Sequence, residues 1–348
     1  MSLTSLNQNR IPTGWTHHQY IDRETAEVKT ERLYCDRLVN YLYARVRERN
    51  QALFNALTSS RMTGVLGYLN YDLPLKHYFY SPYKLADVLA VDLDECVSPP
   101  AELTTPRKFF ERKIKYWQNR PMPANPAAIT APADSKMLVG SFAEQSILFI
   151  KEKFFDHPEL LGPSATEWPA AFERGSFAIF RLTPDKYHYN HLPVSGRVID
   201  FYRIGGSYHS CNPGAVIQMV RPYCKNARVV TIIDTDVECG TAIGLVAMVE
   251  VVALMIGDIV QCYSERHYDD PKPITPGMLV AKGQPKSLFR PGSSVDVLIF
   301  QQGRVAFSED IVANLHRRQA ESRFSQGFGQ PLVETEVKVR SQIGRRRT

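Results

Sequence analysis

The strongest constraint on the fold lies late in the chain, where Val295, Val297 and Ile299 alternate with Asp296 and Leu298. β-Branched residues at a period of two suit a pleated strand entering a core and suit a helix poorly. The entrance to that strand is equally restricted. Pro291 lacks an N–H and keeps Arg290 out of helical geometry, Gly292 can take positive φ, and Ser293 and Ser294 place two hydroxyls at the strand entrance. Taken alone, the segment is a Pro-Gly turn leading into a strand. A chemical role for it requires partners elsewhere in the chain.

With 348 residues, 44% of them hydrophobic and 22% charged, the chain can bury a large core as one compact domain with appendages or as two or three domains. The net charge of +6 is a small excess, and three of the positive charges sit together at Arg345, Arg346 and Arg347. Such a run reads as a solvated tail or as a contact for anionic lipid. No nucleic-acid motif and no basic helix interleaved with aromatics is visible, so a nucleic-acid partner is not expected. The six cysteines, at 35, 96, 211, 224, 239 and 262, include no Cys-x-x-Cys pair, which argues against zinc ribbons and thioredoxin-type chemistry. The first ten residues lack the apolar core of a signal peptide, so reduced cysteines and a cytoplasmic setting are expected.

From Glu24 to about Leu57 the spacing is helical, with Leu38, Leu42 and Val46 recurring at four and arginines between them. This predicts a basic amphipathic helix or helix pair, packed on its own domain or lying on a membrane surface. Aromatics crowd residues 68 to 83, and Pro99, Pro100 and Pro106 then break the pattern. A short amphipathic helix is expected at Lys108–Lys115. Beyond Ala131, short Val, Ile, Phe and Tyr runs predict strands at 146–150, 177–181, 198–202, 228–234, 242–252, 259–263 and 295–300. The expected class is α+β: an N-terminal helical region over 1–100 and a β-rich catalytic domain over 101–348. The apolar run from Ile243 to Val260 approaches membrane-spanning length, but Glu250 falls near its middle. A mid-bilayer acid costs about 2.5–3.5 kcal/mol, so two buried strands with a bend are expected instead.

Candidate chemistry centres on residues 181–193, where His188 and His191 lie three apart between Pro184 and Pro193. Three readings compete: a metal pair, two packed or surface histidines, or a general base with a proton donor. The metal reading lacks a further ligand cluster. The acid–base reading needs an acid and a nucleophile, and Asp134 on a Pro-containing turn and Ser293 supply both types. An Asp–His–Ser set is defined by roles rather than by order along the chain.

These motifs together resemble the phosphatidylserine decarboxylase family. Tyr20-Ile-Asp-Arg-Glu-Thr25 is similar to the start of one bacterial branch, and Phe109-Phe110, Arg112-Lys113 and Arg120-Pro121 follow a family segment. Pro132-Ala-Asp134 resembles its Pro-Val-Asp turn, and Tyr187-His188-x-x-His191-x-Pro193 matches its histidine signature, followed by Gly196. Lys282-Gly283…Phe289-x-x-Gly292-Ser293-Ser294 resembles the family's Gly-Ser-Thr site. Departures surround these motifs: Lys186, Tyr189, His209, Pro285, Ser287, Pro291 and Ser294 replace the usual residues.

The resemblance implies that the Ser293 hydroxyl attacks the Gly292 carbonyl, turning the peptide into an ester, with His191, oriented by Asp134, as the base. Elimination and hydrolysis would leave a covalent pyruvoyl group at residue 293 and two associated fragments, 1–292 and 293–348. That group acts as an electron sink for decarboxylation of an amine substrate, with His188 reprotonating the carbon, and no added cofactor or metal is needed. The implied activity is conversion of phosphatidylserine to phosphatidylethanolamine, by a peripheral protein on the cytoplasmic side of a membrane, with self-association left open. A soluble amino acid as substrate, or an uncleaved, non-catalytic binding protein, are the alternatives.

Overall fold

The computed structural model describes residues 17–33, 36–59, 62, 65, 68, 71, 80–143, 154–163, 167–254, 258–292 and 294–347. The strands in chain order are β1 (Gln19–Asp22), β2 (Val28–Thr30), β3 (Ala128–Thr130), β4 (Ser135–Ser141), β5 (Ser176–Leu182), β6 (Tyr189–His191), β7 (Gly196–Ile204) and β8 (Arg228–Asp234). They continue as β9 (Leu245–Val252), β10 (Ile259–Gln261), β11 (Leu279–Val280), β12 (Pro285–Phe289), β13 (Ser294–Phe300), β14 (Val305–Phe307), β15 (Thr335–Val337) and β16 (Gln342–Arg346). The fold is α+β.

Among the described residues, ten strands form one sheet in the order β11-β7-β8-β9-β13-β5-β4-β15-β1-β2. β13 lies in its middle, antiparallel to β5 on one side and β9 on the other. Ser294 stands opposite Leu182 and Val252, and Phe300 opposite Ser176 and Val246. All of β13 is buried, so the period of two that marked it as a strand does not separate a wet face from a dry one. One face of the large sheet joins the main core. On the other, Leu182, Val229 and Val252 meet Ile259 and Phe289 of the small sheet β10-β12-β6. A third sheet, β14-β16-β3, packs Ile129, Val305 and Ile343 into the main core.

The 243–260 run resolves as expected into β9 and β10, with 255–257 outside the described residues. β9 starts at Leu245 rather than Ala242 because Ala242 and Gly244 both have positive φ, +58° and +76°, and cannot join a ladder. The strand expected at 146–150 lies outside the described residues, as do Cys35 and most of 68–79.

Several local expectations are corrected. Helix does not begin at Glu24: residues 28–30 pair with β1, which itself runs parallel to β15. Helical structure occupies Asp36–Tyr41, a π-helical turn at Leu42–Val46, Arg47–Arg49 and Gln51–Leu57, where the Asn50 side chain accepts from the Leu53 N–H. The buried stripe is Val39, Tyr43 and Phe54, packed on Ala215 and Met219, while Leu38 is 66% exposed. The helix at 108–115 is Pro106–Phe110, capped by Thr105, and Ile114 leaves it to bridge Cys96. Arg345 and Arg346 belong to β16, with exposed side chains on a paired backbone.

Burying Leu298 between two strands contributes about 1.5–3 kcal/mol by transfer alone, and its truncation also leaves a cavity. Leu298→Ala should lower stability by about 2–5 kcal/mol in chemical denaturation, whereas Leu38→Ala should change it by less than about 0.5 kcal/mol.

Candidate active site

Asp134 sits on the turn between β3 and β4, and the Pro132 carbonyl of that turn accepts from the His191 N–H at 2.7 Å. Its carboxylate is fully engaged. Arg120 donates to both oxygens, at 3.1 and 2.8 Å, and the Val339 N–H donates to Oδ1 at 2.7 Å. Arg120 also grips Glu95 through two bonds, at 2.8 and 2.9 Å. Burial pushes the Asp134 pKa upward, but the charge and hydrogen bonds of Arg120 and the Val339 N–H outweigh it and hold the group below the usual carboxylate range.

His191 lies on β6, paired with Pro285 of β12. Its Nδ1 is 2.9 Å from the Gly283 carbonyl, which can only accept, so Nδ1 carries the proton of the neutral ring. Nε2 then accepts from the Tyr187 hydroxyl at 2.9 Å. Tyr187 in turn meets the Tyr268 hydroxyl at 2.7 Å, and Tyr268 accepts from the Ile114 N–H at 3.1 Å. The Tyr268 hydroxyl also lies 2.9 Å from the Ile114 carbonyl, which accepts from the Tyr116 N–H as well, so its one proton is shared between that carbonyl and Tyr187, and the network links Ile114, Tyr268, Tyr187, His191 and Gly283. Gly283 is required at its turn, since its φ is +77° and a Cβ would stand 2.4 Å from Met122 Sδ.

This corrects the expectation that Asp134 orients His191 directly. Both ring nitrogens of His191 and both oxygens of Asp134 have other partners, because a buried carboxylate binds most strongly the guanidinium that neutralises it. The two groups interact through space by charge alone.

His188 is fully buried, and neither ring nitrogen has a hydrogen-bond partner among the described residues. Its ring lies 3.7 Å from that of Phe110 and tilted by 31°. Its carbonyl accepts from the Phe289 N–H at 3.0 Å, so the end of β12 is tied to it. From there only Arg290, Pro291 and Gly292 lead to residue 293. Gly292 has φ +148° and is buried, a conformation that requires glycine, as the Pro-Gly turn predicted. Ser293 itself lies outside the described residues. Ser294, next to it, is buried, and its hydroxyl has no partner among the described residues. Beside the start of β13 is a cavity of about 80 Å³ lined by Arg181, Thr183, Ser210 and Asn212 among others.

Burial holds His188 and His191 at a pKa of about 3, so both rings are neutral at pH 7. For His188 the Arg112 charge adds to burial; for His191 burial outweighs the Gly283 hydrogen bond.

The Lys282–Phe289 segment is braced from below. Glu250 of β9 accepts from Lys286 at 2.5 Å, from Asn190 at 3.2 Å and from the Ser287 hydroxyl. Asn190, between the two histidines, also donates to Ser287 at 3.1 Å. Ser287, a departure from the family pattern, thus links the histidine strand to the large sheet. Asp296 stands directly opposite Glu250, and burial and that neighbour raise its pKa well above the usual range.

A possible metal-ligand group is His18, Glu31 and Glu334, whose ligand atoms lie within 4.8 Å of one another. Arg181 occupies it instead, donating to Glu31 at 2.9 Å and to Glu334 at 2.9 and 2.6 Å.

The model of the phosphatidylserine decarboxylase family matches residues 107–327, which hold Asp134, both histidines and the Gly292-Ser293 pair. The chain belongs to this family. It is 30% identical over 330 residues to the phosphatidylserine decarboxylase proenzyme of Chlamydia trachomatis serovar L2, covering 94% of this chain and 97% of that protein. The proenzymes of the same name from Fusobacterium nucleatum and Clostridium tetani are 28% and 27% identical, covering 86% and 84% of this chain and 93% and 91% of theirs.

In this phosphatidylserine decarboxylase family member, sequence reasoning missed Tyr268, Glu250 and the role of Arg120. Arg120-Pro121 was visible as a motif, but nothing along the chain pointed to its partner 14 residues on. Tyr268 sits in a loop without a recognisable pattern.

His188 and His191 bind a proton in the unfolded chain near pH 6.5 and in the folded chain only near pH 3. Their contribution is therefore present above pH 6.5 and is lost as pH falls towards 3. Chemical denaturation of the Ser293→Ala variant at pH 7 and pH 5 should show a loss on the order of 2 kcal/mol per histidine, and His188→Gln should remove one share of it.

Proposed function

We propose that the chain is a proenzyme that cuts itself between Gly292 and Ser293 and then decarboxylates phosphatidylserine to phosphatidylethanolamine. The observation that carries this reading is the pairing of Phe289 with His188. Phe289 lies three residues before Gly292, and the buried imidazole tied to it has no partner among the described residues. Membership of the family supplies the reaction.

A pyruvoyl group derived from Ser293 fits the surroundings, since the His188 nitrogens and the Ser294 hydroxyl are buried polar atoms without partners among the described residues. When formed, such a group supplies an electron sink for loss of carbon dioxide. The protein's own residues do the rest. His191, with Nδ1–H committed to Gly283, has Nε2 as its basic nitrogen. It takes the Ser293 proton when the Tyr187 hydroxyl yields that position. Asp134 supports positive charge on His191 from a distance, balanced by Arg120. His188, kept neutral by burial, holds and returns a proton to the substrate carbon.

After the cut, residues 294–300 stay hydrogen-bonded to β5 and β9, both from the larger fragment. Arg323 adds a bidentate pair to Asp36, at 2.7 and 2.8 Å. The two fragments remain one folded unit.

No helix among the described residues is long and apolar enough to cross a membrane. The N-terminal region, however, exposes Leu38, Tyr41, Leu53, Tyr83 and Val88. Those side chains, with Arg37, Arg45 and Arg49 nearby in sequence, support peripheral attachment on the cytoplasmic side of a membrane.

Intact mass and denaturing electrophoresis should show fragments 1–292 and 293–348, the smaller blocked to Edman sequencing, and a single full-length chain would contradict processing. Ser293→Ala should abolish both cleavage and activity. His188→Ala should still cleave but lose at least about 100-fold in decarboxylation, while His191→Ala should impair cleavage itself. Activity on free serine equal to that on phosphatidylserine vesicles would overturn the lipid assignment. Replacing both Leu38 and Tyr41 by glutamate should reduce retention on vesicles with the fold unchanged by circular dichroism.

A further inference from the structure

A second cavity, of about 630 Å³, opens between the N-terminal helices and residues 206–225. Its polar lining includes Arg47, Gln51, Asn55, Ser207, His209 and Lys225, and among the described residues that line it there is no carboxylate. Two cations therefore face one space with no counter-charge in its wall.

His209 makes the site a built one. Its ring is stacked on Phe54, with centroids 5.7 Å apart and planes 14° apart, and meets the edge of Tyr43. Its backbone is clamped by Asn226, which accepts from the His209 N–H at 2.7 Å and donates to its carbonyl at 2.9 Å. The residue is 6% exposed, and its Nδ1 has no partner among the described residues. An imidazole thus stands in the cavity wall in place of the usual family aromatic, at a desolvation cost that its protein contacts among the described residues do not offset at Nδ1. Burial, reinforced by the Lys225 and Arg47 charges, lowers its pKa to about 4. An anion among the three groups would reverse both charge effects.

We infer that this cavity binds a phosphate-bearing anion, held by Arg47 and Lys225 with His209 as a further hydrogen-bonding group. One arm of the Arg47 fork donates to the Gln218 carbonyl at 2.5 Å; the rest of the planar guanidinium suits a tetrahedral oxyanion, and Lys225 suits it through its point charge. Val220, in the lining, is 57% exposed, and Leu53, on the helix that carries Gln51 and Asn55, is 47% exposed. An apolar rim around a basic pocket is the arrangement that receives a lipid phosphate from a bilayer surface. A soluble phosphate shares the same chemistry. The inference does not depend on self-cleavage or decarboxylation, because none of these residues belongs to the proposed catalytic set.

The test is calorimetric titration of the full chain with inorganic phosphate at constant ionic strength. It is paired with retention on phosphatidylcholine vesicles with and without phosphatidic acid. Replacing Arg47 and Lys225 by glutamine removes two charge-assisted contacts and should weaken phosphate binding by at least roughly ten-fold. Lys225→Gln alone, at an exposed position, should give an intermediate loss without disturbing the fold. If the double variant loses both phosphate binding and the extra retention due to phosphatidic acid, the ligand is a lipid phosphate. Loss of phosphate binding with vesicle retention unchanged assigns a soluble phosphate. The inference is overturned if the double variant, melting like the parent, changes neither phosphate affinity nor vesicle retention.

Discussion

The structure depends on one strand that is hydrogen-bonded along both edges. β13 lies between β5 and β9 and is buried on both faces, so it cannot be removed without exposing two ladders and the centre of the core. The family's Gly-Ser pair stands at the end of that strand, where its backbone leaves the sheet. A break there severs a connection of few residues and leaves the ladder whole. Buried ion pairs repeat the tie across the same line, with Arg181 on Glu334 and Arg323 on Asp36. Each such pair is costly to desolvate and costlier to separate.

The candidate site shows how burial and hydrogen bonding divide the work of setting protonation states. Burial, with the Arg112 charge added at His188, makes both histidines neutral, while the Gly283 carbonyl, which can only accept, decides which nitrogen of His191 is basic. Asp134 is spent on Arg120, so its influence on the histidines is electrostatic and long-range rather than a hydrogen bond. The small sheet that carries the histidines is fixed to the large one by Glu250, Lys286, Asn190 and Ser287. The position of the histidines relative to β13 therefore rests on a polar network that belongs to neither motif.

Much of this was legible in local pattern. The strands at 177–181, 228–234 and 295–300 followed from period-two or β-branched runs, and the membrane-spanning reading of 243–260 failed on Glu250 as the residue chemistry required. β6, β12 and β15 were not legible, because their residues are mixed in polarity and become strands only through the partner they pair with. The N-terminal stripe was displaced by one residue for a similar reason. Leu38 and Val39 both fit a helical spacing, and only the position of Ala215 and Met219 selects which one is buried.

The sequence by itself determined the family, the α+β class, the Gly292 turn and the set of groups able to do chemistry, because motif spacing and backbone preference are local properties of the chain. Which of those groups touch was decided by tertiary structure alone. The partner of Asp134, the tautomer of His191, the isolation of His188 and the anion-poor wall around His209 all arise from residues distant in sequence. Hydrogen bonding and desolvation act on distances in space, and only folding fixes those distances.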